Sequence, residues 1–323
     1  MAMAYNDMAM LTFTDILRKV THGTFLKRPY FSLQRGYWQR GRGCGILFPA
    51  KTNTESERTM SERIKLEGLP NTRDLGGMVG ADGRKIAKGK LIRSGQLYSA
   101  TQADIAYLSG CVDLVADFRT DRERQEKPNP VLPGAEMLHI PIFESLTAGI
   151  SRDKESDKAA LAMVGKDPEK ARQYMANIYL GFVTSDFSIG QYRRFIRLLL
   201  KRKEKATLWH CTAGKDRAGF AAVLVQTLLG VDRAAIMEDY LRTNDYLGGE
   251  LASMAETASR LMGNLDGNSD QALHFLFGAH EDYLAAVYDK ADELYGGLEQ
   301  YISDGLGISA EERALFRSLY LEG

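Results

Sequence analysis

Cysteine is scarce in this chain. Cys44, Cys111 and Cys211 are an odd number at long spacing, which fits no disulfide framework and points to a reducing compartment. Charge of neither sign prevails, since 42 basic side chains meet 42 acidic ones, so no global field recruits nucleic acid or an anionic membrane. Long apolar runs are missing too. A spanning helix needs about 20 such residues, and a secretory signal about 7 to 15 behind a positive start. The expected location is therefore cytoplasmic, without stable membrane insertion, although export by another route stays open. The five histidines, His22, His139, His210, His274 and His280, form no i,i+4 pair and no Cys/His cluster. No metal and no cofactor is expected.

What is present is unevenly distributed. Residues 1–59 hold nine basic groups against four acids, and stretches such as "MAMAYNDMAM" and "QRGYWQRGRGCG" keep neither a helical nor a strand period. This part is expected to be a poorly structured or misassigned extension, with Met60 as a candidate start. A mitochondrial-type presequence is the alternative for "LTFTDILRKVTHGTFLKR". Residues 60–323 are expected to form a single domain. Cys111, opening "CVDLVADF", reads as a small buried hydrophobe.

From residue 61 onward the pattern sharpens. "RIKLEG", "GKLIRSG", "VDLVADF", "MLHIPI" and "ATLWHC" are short β-rich runs, whereas "QADIAYLS" and "QYRRFIRLLLK" show helical spacing. Ile189, Tyr192, Ile196, Leu199 and Leu200 recur at three and four, marking one apolar face. Beyond Gly230 everything reads as helix, through "RAAIMEDYLRTNDYL", "LASMAETASRLMG" and "HEDYLAAVYDKADELY" to "SAEERALFRSLYL", where Ser309 and Glu312 stand as a capping box. An α/β core with a helical C-terminal third follows. The polar segment 143–170 is long for a connection and reads as either a lid or a solvent-facing helix pair.

The chemistry concentrates at residues 210–219, "HCTAGKDRAG". "ATLWHC" is a strand and "RAGFAAVLVQTLLG" a helix, so the residues between them form a strand-to-helix loop. Such loops aim backbone N–H groups and a helix's positive end at one point, where an anion belongs. Arg217 offers a planar fork of donors matched to phosphate oxygens, and Gly214 lets the backbone close without a Cβ. The same surroundings favour a thiolate over a thiol, which makes Cys211 a candidate nucleophile. Nucleophile, oxyanion cradle and bound phosphate together specify phosphoryl transfer to sulfur and hydrolysis of the cysteinyl-phosphate. A nucleotide-binding G-x-x-x-x-G-K-[ST] loop is excluded, because Trp209 replaces its first glycine and Asp216 its hydroxyl.

"HCTAGKDRAG" also resembles the H-C-x-x-G-x-x-R signature of cysteine-dependent phosphatases, and its "GKD" interior resembles the bacterial tyrosine-phosphatase branch. "GLPNTRDLGG" (68–77), "KLIRSGQL" (90–97), "DFRTDRERQEKPNP" (117–130) and "YLAAVYDKADELYGGLEQYISDGLGIS" (283–309) are similar to that branch in the same order, over roughly 64–321. The resemblance implies a protein-tyrosine-phosphatase-like central sheet flanked by helices. It implies that Cys211 attacks phosphorus, that Arg217 binds the phosphoryl group bidentately, and that Asp216, protonated, donates to the leaving oxygen. Asp117, Asp121 and Asp186 are alternative acids. The substrate would rest against Thr212, Ala213, Gly214, Lys215, Ala218 and Gly219. His210 would orient the loop, and Asp117 with Arg119 would brace it as a charged pair. Asn71, Arg73 and Asp74 read as a rigid turn nearby.

Two features leave the substrate open. Lys215 resembles the lysine that meets extra phosphates in phosphoinositide-cleaving relatives, so a phosphotyrosine protein and a phosphoinositide are both candidates. Where relatives carry Thr or Ser after the arginine, this chain has Ala218, which raises a phosphate-binding pseudophosphatase as the other alternative. Neither substrate identity nor oligomeric state is legible in the sequence.

Overall fold

The strand-rich runs assemble around β7 (Ala206–His210), whose five residues are all buried. In the computed structural model, which describes residues 60–144, 164–201, 204–249 and 267–323, Thr59–Gly323 forms one compact unit. The expectations for residues 1–59, for Cys44, for most of the 143–170 segment and for "LASMAETASRLMG" lie outside the described residues. Before β7 come β1 (Glu62–Arg63), β2 (Arg73–Asp74), β3 (Lys85–Ile86), β4 (Leu91–Ser94), β5 (Val112–Asp117) and β6 (Glu136–His139), with β8 (Leu321–Glu322) following late. The helices are α1 (Gln102–Cys111), α2 (Asp121–Glu126), α3 (Pro168–Thr184), α4 (Asp186–Leu199), α5 (Arg217–Leu228), α6 (Arg233–Leu241), α7 (Gly267–Phe277), α8 (Glu281–Tyr295), α9 (Leu298–Gln300) and α10 (Ala310–Tyr320).

Six strands form one sheet in the order β1-β2-β4-β7-β5-β6, and β3 pairs with β8 apart from it. The four from β4 to β6 run parallel. Parallel strands need covering on both faces, so near-continuous apolar runs such as "VDLVADF" and "ATLWHC" occupy the middle. Register brings Ser94, His210, Asp117 and His139 to the same edge. That edge is the carboxyl end of the sheet, where open α/β folds bind their ligands.

One face packs Leu69, Ile92, Leu97, Leu108, Val112, Val115, Leu132 and Leu208 beneath α1. The other is aromatic. Phe195 meets Phe118 edge-on at 5.0 Å and Trp209 at 5.4 Å, while Phe182 stacks on Phe220 at 5.3 Å. Helix α5 is buried from Ala218 to Val225, which is why "RAGFAAVLVQTLLG" shows no polar stripe. Thr101 with Asp104, Thr120 with Glu123, and Ser309 with Glu312 close reciprocal capping boxes on α1, α2 and α10. Of the expected apolar face on α4, Ile189, Tyr192, Ile196 and Leu199 are buried and Leu200 half-buried, and Phe195 joins them. No helix among the described residues is long and apolar enough to cross a membrane.

Candidate active site

The peptide carbonyls following β7 are taken up one after another. Cys211 O accepts from His210 Nδ1 at 3.1 Å, Thr212 O from the Gln96 amide at 2.9 Å, Ala213 O from Asn71 Nδ2 at 2.9 Å, and Gly214 O from Arg93 at 2.7 Å. A trans peptide points its N–H opposite its carbonyl. Tying four carbonyls back therefore turns the amides of Thr212, Ala213, Gly214 and Lys215 the other way, into the loop's concavity, and no carbonyl or side chain among the described residues accepts from them. Gly214 makes the bend possible. Its φ is +73°, and a Cβ there would stand 2.6 Å from Ser94 O. Cys211, the first residue of this loop after β7, is buried.

His210 is held from its far side. Nδ1 donates to a carbonyl, so Nε2 is the acceptor for Asn129 Nδ2 at 3.1 Å. Asn129 also donates to Asp117 Oδ2 at 3.0 Å and accepts from Arg119 at 2.8 Å. Arg119 grips Asp117 through Nε and NH2 at 3.0 and 2.7 Å, and NH1 donates to Lys127 O at 2.7 Å. Burial holds the imidazole below its ordinary value, against the pull of Asp117. Asp117 and Arg119 thus form a paired unit behind the loop, and the described contacts of neither lead toward the sulfur.

Arg217 begins α5 and presents its guanidinium to Glu123, NH1 to Oε2 at 2.7 Å and NH2 to Oε1 at 2.8 Å. Glu123 Oε1 accepts as well from the Thr212 hydroxyl, and Oε2 from the Thr120 amide at 2.8 Å. The Phe143 ring lies 5.4 Å from the guanidinium carbon. Burial would raise the Glu123 carboxyl, but Arg217 and these hydrogen bonds hold it far below the usual range. Arg217 is raised correspondingly, with Glu123 outweighing burial. Asp216 stands one residue earlier, its carboxylate a quarter exposed. Oδ1 accepts from Tyr179 OH at 2.8 Å and lies 3.1 Å from Lys215 Nζ.

The matched family model is the tyrosine phosphatase family, over residues 64–322. The chain belongs to this family. A tyrosine-phosphatase family member is a phosphoric monoester hydrolase, and the relatives agree. A Cupriavidus necator protein assigned as a tyrosine-protein phosphatase is 30% identical over 88% of this chain and 99% of its own. The Mycobacterium tuberculosis triple specificity protein phosphatase PtpB is 29% identical over 76% of this chain and 94% of its own. A Nostoc commune tyrosine-protein phosphatase is 27% identical over 68% and 70%.

Within this tyrosine phosphatase the loop from Cys211 to Asp216 joins β7 to Arg217 at the start of α5, and Thr212 and Arg217 meet at Glu123. Ala218 and Gly219 lie buried in the first turn of α5, where Ala218 O accepts from Trp209 Nε1 at 3.0 Å. The Lys215 ammonium is buried, donating to Leu276 O at 3.2 Å and Gly278 O at 3.0 Å beside Asp216 Oδ1. Asp121 and Asp186 occupy the first positions of α2 and α4.

Several phosphatase residues escape sequence reasoning. Glu123 is signalled only as the end of a T-x-x-E capping box. Asp239 takes Arg73 at 3.3 Å and Arg93 at 3.3 Å, fixing the two side chains that hold Asn71 and Gly214. Its signal is a carboxylate placed among Ala235, Ile236 and Tyr240 on the buried face of α6. Asp74, by contrast, caps the amides of Gly76 and Gly89, as a turn residue does.

Proposed function

We propose that the chain hydrolyses phosphotyrosine in protein substrates through a cysteinyl-phosphate on Cys211, within a catalytic domain spanning residues 60–323. The thiolate attacks phosphorus, and the S–P bond forms as the bond to the tyrosyl oxygen breaks. Asp216 passes its proton to that oxygen. Charge on the three equatorial oxygens is met by the inward amides of the loop and by Arg217, whose orientation Glu123 and Phe143 fix in advance. Water then attacks phosphorus, Asp216 takes up a proton from it, and the sulfur leaves. The observation that carries this reading is the tie-back of the carbonyls from Cys211 to Gly214, which orients the donors before any substrate arrives.

Lys215 supports phosphotyrosine over phosphoinositide, because its ammonium is committed to the Leu276 and Gly278 carbonyls. A reducing, cytoplasmic setting fits a mechanism that depends on a free thiol at Cys211. Phosphate release from phosphotyrosine, phosphoserine and phosphoinositide substrates, measured with a chelator present, tests the assignment. Phosphotyrosine is expected to turn over fastest, with no loss to the chelator. Cys211→Ser should lower turnover at least about 1,000-fold while phosphate still binds the intact cradle. Activity within about tenfold of the parent would remove Cys211 from its role.

A further inference from the structure

Asp216 is reached by a chain of hydroxyls whose direction is fixed by counting protons. Tyr179 OH donates to Asp216 Oδ1 at 2.8 Å and lies 2.7 Å from Tyr240 OH. A phenol has one proton. With that of Tyr179 spent on Asp216, the proton between the two rings belongs to Tyr240. Both rings are fully buried, and burial raises both phenols well above their ordinary value, so they stay protonated donors. Lys215 Nζ approaches the same Oδ1 at 3.1 Å and is itself anchored on the carbonyls of Leu276 and Gly278. Oδ1 is thus held by a hydroxyl from α3, backed by Tyr240 of α6, and by an ammonium anchored where α7 ends. Oδ2 accepts no hydrogen bond among the described residues.

We propose that Tyr179, steered by Tyr240, is a positioning residue that commits Oδ1 of Asp216 to accepting and leaves Oδ2 as the oxygen that carries the proton to the leaving group. A carboxylic acid has one proton and two oxygens. With Oδ1 facing an O–H and an ammonium, the proton resides on Oδ2, and it moves to the leaving oxygen as the P–O bond breaks. The inference rests on Asp216 being the proton donor, and the experiment separates the two.

Phenyl phosphate needs a proton on its departing oxygen, whereas the nitrophenolate of p-nitrophenyl phosphate leaves with much less help. The ratio of kcat/KM for these two substrates reports proton delivery in the first step, and a general loss of folded enzyme does not move it. Tyr179→Phe is expected to lower that ratio about tenfold, Asp216→Asn to lower it further, and the double variant to match Asp216→Asn alone. Tyr240→Phe, which leaves Asp216 untouched, should shift the ratio the same way and carries the test if Tyr179→Phe does not fold. An unchanged ratio in Asp216→Asn would overturn the acid assignment and the inference with it. A lowered ratio in Asp216→Asn with no shift in either tyrosine variant would overturn the inference alone.

Discussion

Replacing Glu123 by glutamine removes one charge from beneath Arg217 and leaves the shape of α2 intact. Glutamine serves the third helical position of a capping box as glutamate does, so the Thr120 amide keeps an acceptor. The Arg217 side chain is 11% exposed and that of Glu123 27%, which makes this a mostly desolvated ion pair. Two parallel charge-assisted hydrogen bonds, at 2.7 and 2.8 Å, become at best one neutral acceptor and one amide N–H facing a guanidinium. Removing one partner of a buried pair costs about 3 to 5 kcal/mol, and the residual exposure of Glu123 places this case near about 3.

The sign of the pH dependence follows from the lowered carboxyl. In the unfolded chain Glu123 titrates near its ordinary 4.5, and in the folded chain far lower, because Arg217 and the hydrogen bonds outweigh burial. Its stabilisation is complete above the unfolded value and is lost as pH falls from there through the folded one. Urea melts of parent and Glu123→Gln should therefore differ by a constant amount from pH 8 to about 5, and the gap should close below about 4.5. Inhibition by inorganic phosphate should weaken about tenfold at pH 7, because Arg217 is no longer held in its binding orientation. A gap under about 0.5 kcal/mol at pH 7, or one that stays constant down to pH 3, would refute the reasoning.

The backbone bend at Gly214 gives a second test: Gly214→Ala forces a Cβ to 2.6 Å from Ser94 O at a φ of +73°, so stability should fall by about 1 to 3 kcal/mol and phosphate inhibition should disappear. Retained phosphate affinity would show that the cradle tolerates another bend. In the proposed two-step mechanism Ala218 bears on the second step, since the Thr212 hydroxyl donates to Glu123 and is not free to help expel the sulfur. The parent enzyme should accordingly show a burst of leaving group before a slower steady rate, and Ala218→Thr should shrink the burst and raise the steady rate by roughly 10- to 100-fold. Rapid mixing with an aryl phosphate decides this, and a parent without a burst whose variant gains nothing would count against it.

Local chemistry made much of the molecule readable before folding. "ATLWHC" and "RAGFAAVLVQTLLG" announce a strand and a helix through composition, and Ser309 announces the start of α10 through its spacing to Glu312. The loop between β7 and α5 was readable for the same reason, since its glycine, cysteine and arginine are neighbours in the chain. What lies across the chain was not. The pairing of Glu123 with Arg217 joins residues 94 positions apart, and Tyr179 reads as one more core aromatic on α3 until α6 and α8 pack against it. The direction of Lys215 depends on whether the carbonyls at the end of α7 are within reach, which only the packed structure decides.

Strand β7 sits between β4 and β5, and those two strands never touch one another. Both precede it by a long stretch of chain, so a growing or refolding polypeptide holds two unpaired edges apart until the last member arrives. Parallel pairings of this kind close late and slowly, and open edges in the meantime invite association with other chains. The latecomer ends at His210, immediately before Cys211, the proposed nucleophile. Refolding yield should thus fall with protein concentration, and no intermediate lacking the inserted strand can release phosphate, so returning activity times the closing of the sheet.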